Sequence, residues 1–259
     1  MMHALNPPIK SWVGKRVWIV GASSGIGAAL ARALLDAGAW VTVSARRQEA
    51  LDEVIASRPH AFVVAFDASD NAAWSEAFDR TMTAMGQIDL VVFGAARYDP
   101  THSWSLDMEQ VEKSYDLNVV GVYRGLALLV PYMLKRGEGG LAVIASISAY
   151  TGLPKALIYG ATKAALNNLT ETLYFELAPK GLSVYLINPG FVETPMTAVN
   201  DFAMPGLMKP VDAARAIVAG FERGHFEIRF PKFFTATLRL LSFLPDRWRF
   251  PLLHKITKM

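Results

Sequence analysis

The chain has 259 residues, 52% of them hydrophobic and 19% charged, which is ample material for one large packed core. It has no cysteine and only five histidines, none in His-Glu-x-x-His spacing, which excludes disulfides and thiolate metal sites and leaves no metal expected. The net charge of +3 is uneven: seven basic residues oppose only Asp246 in 229–259, giving that segment +6 and the remainder −3, so nucleic acid is not an expected partner.

From Lys15 onward, short β-branched or apolar runs alternate with longer helical patterns, the signature of repeated βαβ units and a parallel sheet. The runs predict strands at 16–20, 40–44, 61–66, 88–93, 141–145, 183–187 and 225–230. Most are continuously apolar, as strands buried on both faces should be. Leu30, Ala33, Leu34 and Ala37 recur at helical spacing and predict a helix over 26–37, which Gly38 can cap. Longer helices are predicted over 108–135 and 158–177, with Gly121 and Gly125 inside the first available for close packing. The expected fold is α/β: a single-domain, Rossmann-like, doubly wound parallel sheet of about seven strands, its ligand site beyond the carboxyl ends of the strands. The domain is expected to span 1–259, with a core of about 15–230 and a hydrophobic, basic extension over 231–259.

Gly21-Ala22-Ser23-Ser24-Gly25-Ile26-Gly27 links the first strand directly to the first helix. Glycine allows close backbone approach, and the N–H groups of a helix N-terminus suit a pyrophosphate. At the tip of the second strand, where an enzyme using NAD commonly has an acidic residue, the chain reads Ser44-Ala45-Arg46-Arg47. Arginine is suited to a 2′-phosphate, so NADP(H) is favoured over NAD(H). In Tyr159-Gly160-Ala161-Thr162-Lys163 a spacing of four puts Tyr159 and Lys163 on one helical face. A nearby ammonium should lower the phenol's pKa, as a proton-transferring tyrosine requires.

Taken together, these motifs resemble those of the short-chain dehydrogenase/reductase family over 15–230. The glycine turn is similar to the family's cofactor motif and Tyr159-x-x-x-Lys163 to its active-site motif. Ser146, Asn118 and Asp67 match the family's catalytic serine, catalytic asparagine and adenine-contacting aspartate. The run Asn188-Pro189-Gly190-Phe191-Val192-Glu193-Thr194-Pro195 resembles the segment that holds the nicotinamide carboxamide. The resemblance implies an oxidoreductase that interconverts a carbonyl and an alcohol. Ser146 would bond the substrate oxygen, Tyr159 would exchange its proton, Lys163 would tune Tyr159 and hold the nicotinamide ribose, and Asn118 would hold a water that refills the relay. Phe93-Gly94-Ala95-Ala96 departs from the family's Asn-Asn-Ala-Gly; Ala95 still leaves room for cofactor, while Phe93 bears on affinity more than on chemistry. The rival reading is a noncatalytic NADP(H)-binding sensor or scaffold.

The loop over 195–210 carries Met196, Val199, Phe202, Met204, Leu207 and Met208, which suit an adaptable apolar wall. Phe191, Met196 and Phe202 are the candidate substrate-pocket residues, for a small-molecule ketone, aldehyde or alcohol of apolar character. The tail over 232–259 interleaves aromatics with basic residues, and Pro245 and Pro251 are expected to break it into short pieces. Packing on the body or on a sister subunit is favoured over peripheral membrane contact, with the tail closing the substrate site. Residues 1–13 lack the apolar run of a secretory signal, and no uninterrupted stretch of about 18 apolar residues occurs. A cytoplasmic protein is expected, with membrane-peripheral attachment through the tail as the alternative, assembled as a homodimer or homotetramer.

Overall fold

The computed structural model describes residues 4–56 and 58–257; residues 1–3, 57 and 258–259, which include Lys258 of the basic tail, lie outside the described residues. Seven strands, β1 (Arg16–Val20), β2 (Trp40–Ser44), β3 (Ala61–Val63), β4 (Leu90–Phe93), β5 (Gly140–Ile144), β6 (Ser183–Pro189) and β7 (Glu227–Phe230), form one sheet in the order β3-β2-β1-β4-β5-β6-β7. Every neighbouring pair is parallel. The helices are α1 (Gly25–Asp36), α2 (Gln48–Ile55), α3 (Ala73–Met85), α4 (Met108–Tyr115), α5 (Gly121–Arg136), α6 (Leu157–Leu177), α7 (Pro210–Glu222), α8 (Lys232–Ser242) and α9 (Asp246–Thr257). The winding direction reverses between β1 and β4, which opens a crevice at the carboxyl ends of the strands.

β1 and β2 have the predicted limits, because four of the five residues in each are buried between helical layers. β3 ends at Val63 rather than Phe66, although the N–H groups of Val64 and Phe66 still reach the carbonyls of Val43 and Ala45 at 3.1 and 3.0 Å. β4 starts at Leu90 because Asp89 turns its carboxylate onto the Arg16 N–H, at 2.9 Å, and onto Arg136. On one face of the sheet, Leu30 and Leu34 of α1, Leu51 of α2, and Ile217 and Phe221 of α7 share a buried cluster with Trp12. On the other, Trp74 of α3, Leu129 and Met133 of α5, and Leu166 of α6 pack on Trp18 and Phe93.

The predicted long helix over 108–135 is interrupted: α4 and α5 are joined by a π-helical turn over Asp116–Val120 that contains Asn118. Gly125 takes α5 close to the sheet, since a Cβ there would lie 2.5 Å from the Phe93 ring and 2.8 Å from Trp74. Phe93, the departure from the family pattern, is therefore a core residue, its ring centroid 6.2 Å from that of Trp74. By length and composition the 29 residues Met108–Arg136 could cross a membrane, yet Val122, Leu126, Leu129 and Met133 are buried against the sheet. In the tail, Pro245 does separate α8 from α9, but Pro251 lies inside α9 and does not break it. Leu238, Leu241 and Leu253 bury themselves with Ile147, so the tail packs on the body.

Candidate active site

A cavity of about 350 Å³ lies at the carboxyl ends of the strands where the winding reverses. Its floor is the glycine turn. Gly21 has no room for a side chain, because a Cβ would stand 2.2 Å from the Ala95 nitrogen. Gly25 has φ +56° and a Cβ there would stand 2.8 Å from Thr194 Cγ2, so turn and β6 loop close on each other only without side chains. Ser24, the residue before α1, makes no capping bond, and Ser23, Ser24, Gly25, Ile26 and Gly27 all line the cavity. The first N–H groups of α1 are thus available to an anion.

At one end the cavity is bordered by Arg46 and Arg47, both exposed, and by Asp67. The Asp67 carboxylate also organises its own turn, accepting from the Ser69 N–H at 2.9 Å and the Ser69 hydroxyl at 2.7 Å. At the other end it is bordered by Ala95, Ser146, Tyr159, Lys163, Pro189, Gly190, Val192 and Thr194. A groove with a bare helix N-terminus, a basic end and glycines where the backbone comes closest fits a dinucleotide.

Ser146 starts a short turn after β5 and Tyr159 lies in the first turn of α6, which brings both to the inner end of the groove. Tyr159 is half-buried and Lys163, one turn further along α6, is fully buried, its ammonium 5.4 Å from the centre of the Tyr159 ring. Lys163 Nζ donates to the Ile144 carbonyl at 2.8 Å. Asn118 is buried behind this group and does not border the cavity. Its Oδ1 accepts from the Arg97 N–H at 2.7 Å, while its Nδ2 donates to the Arg97 carbonyl at 2.9 Å and to Thr162 Oγ1 at 3.1 Å.

The electrostatics differ from expectation. Burial pushes the Tyr159 phenol above its ordinary value; a hydrogen bond with Ser146 opposes the rise and nearby Tyr98 adds to it. Burial also pulls the Lys163 amine down, to about 7, and its Nζ donates to the Ile144 carbonyl.

Residues 15–203 match the family model for short chain dehydrogenases. The chain belongs to the short-chain dehydrogenase family. An uncharacterized oxidoreductase of Myxococcus xanthus is 34% identical over 232 residues, covering 88% of this chain and 92% of the relative. A solved short-chain dehydrogenase from Streptomyces avermitilis superposes with a TM-score of 0.82 at 26% identity, over 95% of this chain and 98% of that one. The 3-ketoacyl-(acyl-carrier-protein) reductase of Brucella melitensis, solved with NADH, gives 0.79 at 27% identity, over 86% and 99%. The protein is therefore an oxidoreductase acting on CH–OH and C=O groups with a nicotinamide cofactor.

In this short-chain dehydrogenase a second cavity, of about 150 Å³, adjoins the first, and Ser146 and Tyr159 border both. Phe191, Met196 and Phe202 line the second cavity, as do Phe234 and Leu238 of α8, so the tail forms part of its wall. Ser148 borders this cavity alone, which separates its position from that of Ser146. Val199 and Leu207, expected in the wall, face solvent at 57% and 46% exposure, and Met208 packs instead against the core.

Several functional neighbours escape a reading of the sequence. Tyr98 lines the second cavity, and Thr197 borders both while its hydroxyl donates to the Val192 carbonyl at 2.6 Å. A polar chain also links the tail to Ser146: the Arg239 guanidinium of α8 pairs with Glu227, Asn188 Nδ2 donates to Glu227 at 3.0 Å, and Asn188 Oδ1 accepts from the Ser146 N–H at 3.1 Å. Tyr150 donates to the same carboxylate. Asn188 heads a recognisable motif, but nothing local gives it this contact, and Tyr98, Tyr150, Thr197, Glu227 and Arg239 lie in no motif.

Proposed function

We propose that the enzyme interconverts an apolar ketone or aldehyde and its alcohol, with NADP(H) preferred to NAD(H). The observation that carries this reading is the position of Ser146 and Tyr159 on the border between a groove lined by glycines and arginines and a smaller, mainly apolar cavity. Arg46 and Arg47 line the groove at its basic end, and no carboxylate stands between them and β2. The solved Brucella melitensis reductase holds NADH; the two arginines are the basis for expecting the phosphorylated cofactor here.

The glycine turn, Arg46, Arg47, Asp67 and Thr194 would hold the cofactor, which supplies or accepts a hydride when bound. Ser146 fixes the substrate oxygen by hydrogen bonding, and Tyr159, beside it, gives that oxygen its proton in reduction and takes it back in oxidation. Lys163 lies behind Tyr159 with an amine near neutrality, able to hand on a proton at working pH. Asn118 keeps the π-helical turn fixed to Arg97 and Thr162, and so supports the relay from behind.

Residues 15–230 and the extension are read as one catalytic unit, because the tail lines the substrate cavity. A cytoplasmic homodimer or homotetramer is the proposed form, supported by exposed Tyr123 on α5 and Phe175 on α6. NADPH absorbance followed against a panel of apolar carbonyls tests the reading. Tyr159→Phe should retain NADPH binding and lose roughly 100-fold or more in turnover; near-normal turnover in that variant would overturn the mechanism.

A further inference from the structure

The C-terminal helices present a second surface, on the side away from the active site. α8 turns Phe234, Leu238 and Leu241 inward, against Ile147 and Leu253. Phe233 and Leu240, seven residues apart and so on one stripe, point the other way at 88% and 69% exposure, and Phe243 follows at 75%. α9 adds Trp248 and Phe250, each more than half exposed. The outward side of α8 therefore mixes exposed Phe233 and Leu240 with exposed Lys232, Thr237 and Arg239, the composition of an interfacial rather than a core-facing surface.

The charge of this segment is predominantly positive. Asp246 is the single acidic residue in 231–259 and pairs with Arg249, while Arg239 is taken by Glu227. Lys232, Arg247 and Lys255 have no acidic partner among the described residues. The guanidiniums of Arg247 and Arg249 lie 5.1 Å from the ring centres of Trp248 and Phe250, so cation and aromatic surface sit side by side.

We infer that this face docks on an anionic phospholipid bilayer, with Phe233, Leu240, Phe243 and Trp248 in the interfacial layer and Lys232, Arg247 and Lys255 on the headgroups. Interleaved aromatic and basic side chains suit that environment, where apolar burial and attraction to anionic lipid act together. A two-fold contact with a second copy suits it less, because it would press two copies of the same net-positive patch together. Phe234 and Leu238 line the substrate cavity from the other side of the same helix. Docking therefore puts that cavity roughly one helix diameter, about 10 Å, from the lipid. The docking itself does not depend on what the cavity binds.

The test is co-sedimentation of the full chain with vesicles of phosphatidylcholine alone and of phosphatidylcholine with phosphatidylglycerol in equal parts, at low and high salt. Binding is expected only to the phosphatidylglycerol vesicles and should weaken with salt. Lys232→Glu with Arg247→Glu should weaken it by about tenfold or more, and Leu240→Ser with Phe243→Ser should abolish it without lowering the thermal midpoint. The charge-reversed pair carries the test should the serine pair fail to fold. A wild-type chain that stays in solution, or binds both vesicles equally, overturns the inference. So does a sedimentation-velocity dimer that the serine pair dissociates, which would assign the face to a second copy.

Discussion

The ring of Tyr98 stands edge-on to that of Tyr159, with centroids 5.0 Å apart, while the Tyr98 hydroxyl donates to Asn200 Oδ1 at 2.8 Å. One side chain thus touches the proposed proton donor and ties down the loop that covers the second cavity. Tyr98→Phe keeps the ring contact and removes the tie. The expected outcome is a rise in substrate KM of about fivefold with kcat nearly unchanged, the worth of one hydrogen bond. Tyr98→Ala loses both contacts and should lower kcat as well. Steady-state kinetics on the three proteins checks this, and a Phe variant with a lower kcat but normal KM would contradict it.

Lys163 gives a prediction in the absence of any substrate. Burial lowers its amine from 10.5 to about 7. Below that value both folded and unfolded chains carry the charge, and the folded state bears the full cost of burying it. Between about 7 and 10.5 the unfolded chain binds more protons, so this contribution to stability rises with pH. Lys163→Met removes it. The advantage in unfolding free energy of the Met variant over wild type should therefore shrink by about 3 kcal/mol from about pH 7 to about pH 9.5. Urea titrations of both proteins without cofactor measure this; an advantage independent of pH would mean that Lys163 titrates normally.

Glu227 should matter to both stability and rate. Glu227→Ala releases Arg239, Asn188 and Tyr150 together and should cost about 2 kcal/mol. Because Asn188 holds the Ser146 N–H, kcat should fall several-fold while the Kd for NADPH stays within about twofold. Arg239→Ala, which removes only the partly exposed end of the chain, should cost less than about 1 kcal/mol. Thermal unfolding with paired kinetics separates these outcomes. A Glu227→Ala enzyme that is less stable yet fully active would reduce the network to scaffolding.

The cofactor preference can be tested at Arg46 and Arg47. Their replacement by alanine should raise the Kd for NADPH by about tenfold or more and leave that for NADH little changed. Fluorescence titration with both cofactors checks it, and equal affinities in the wild-type protein would show that the basic pair serves another purpose.

Much of the fold was legible because buried parallel strands are apolar runs: β1 and β2 are read to the residue. α2 was not, since only Leu51 and Val54 of its eight residues are buried and the rest is polar surface. α3 hides its apolar face in Trp74, Ala77, Thr81 and Met85, one of them polar. α7 carried a readable signal, Pro210 at its start and buried Ala213, Ala214, Ile217 and Phe221 after it. The glycine turn and the Tyr159–Lys163 pair could be found because their spacing is local. The linkage of Asn188 to Ser146 and Glu227, and that of Glu227 to Arg239, could not, because these contacts span 42, 39 and 12 residues of chain. The sign of the Tyr159 shift was missed for a related reason: helical spacing gives the distance to Lys163 but not the burial of both groups.

The two cavities meet along a narrow border of Ser146, Tyr159, Gly190, Met196 and Thr197. Under the proposed reading, a carbonyl anchored there by its oxygen would have one substituent in the apolar cavity of about 150 Å³ and the other outside it. The two ends of an unsymmetrical ketone would then be sorted by bulk and polarity before any bond changes. Under the proposed reading the enzyme makes alcohols of a single hand, and trimming Phe202 or Phe234 would be the way to invert or relax that handedness.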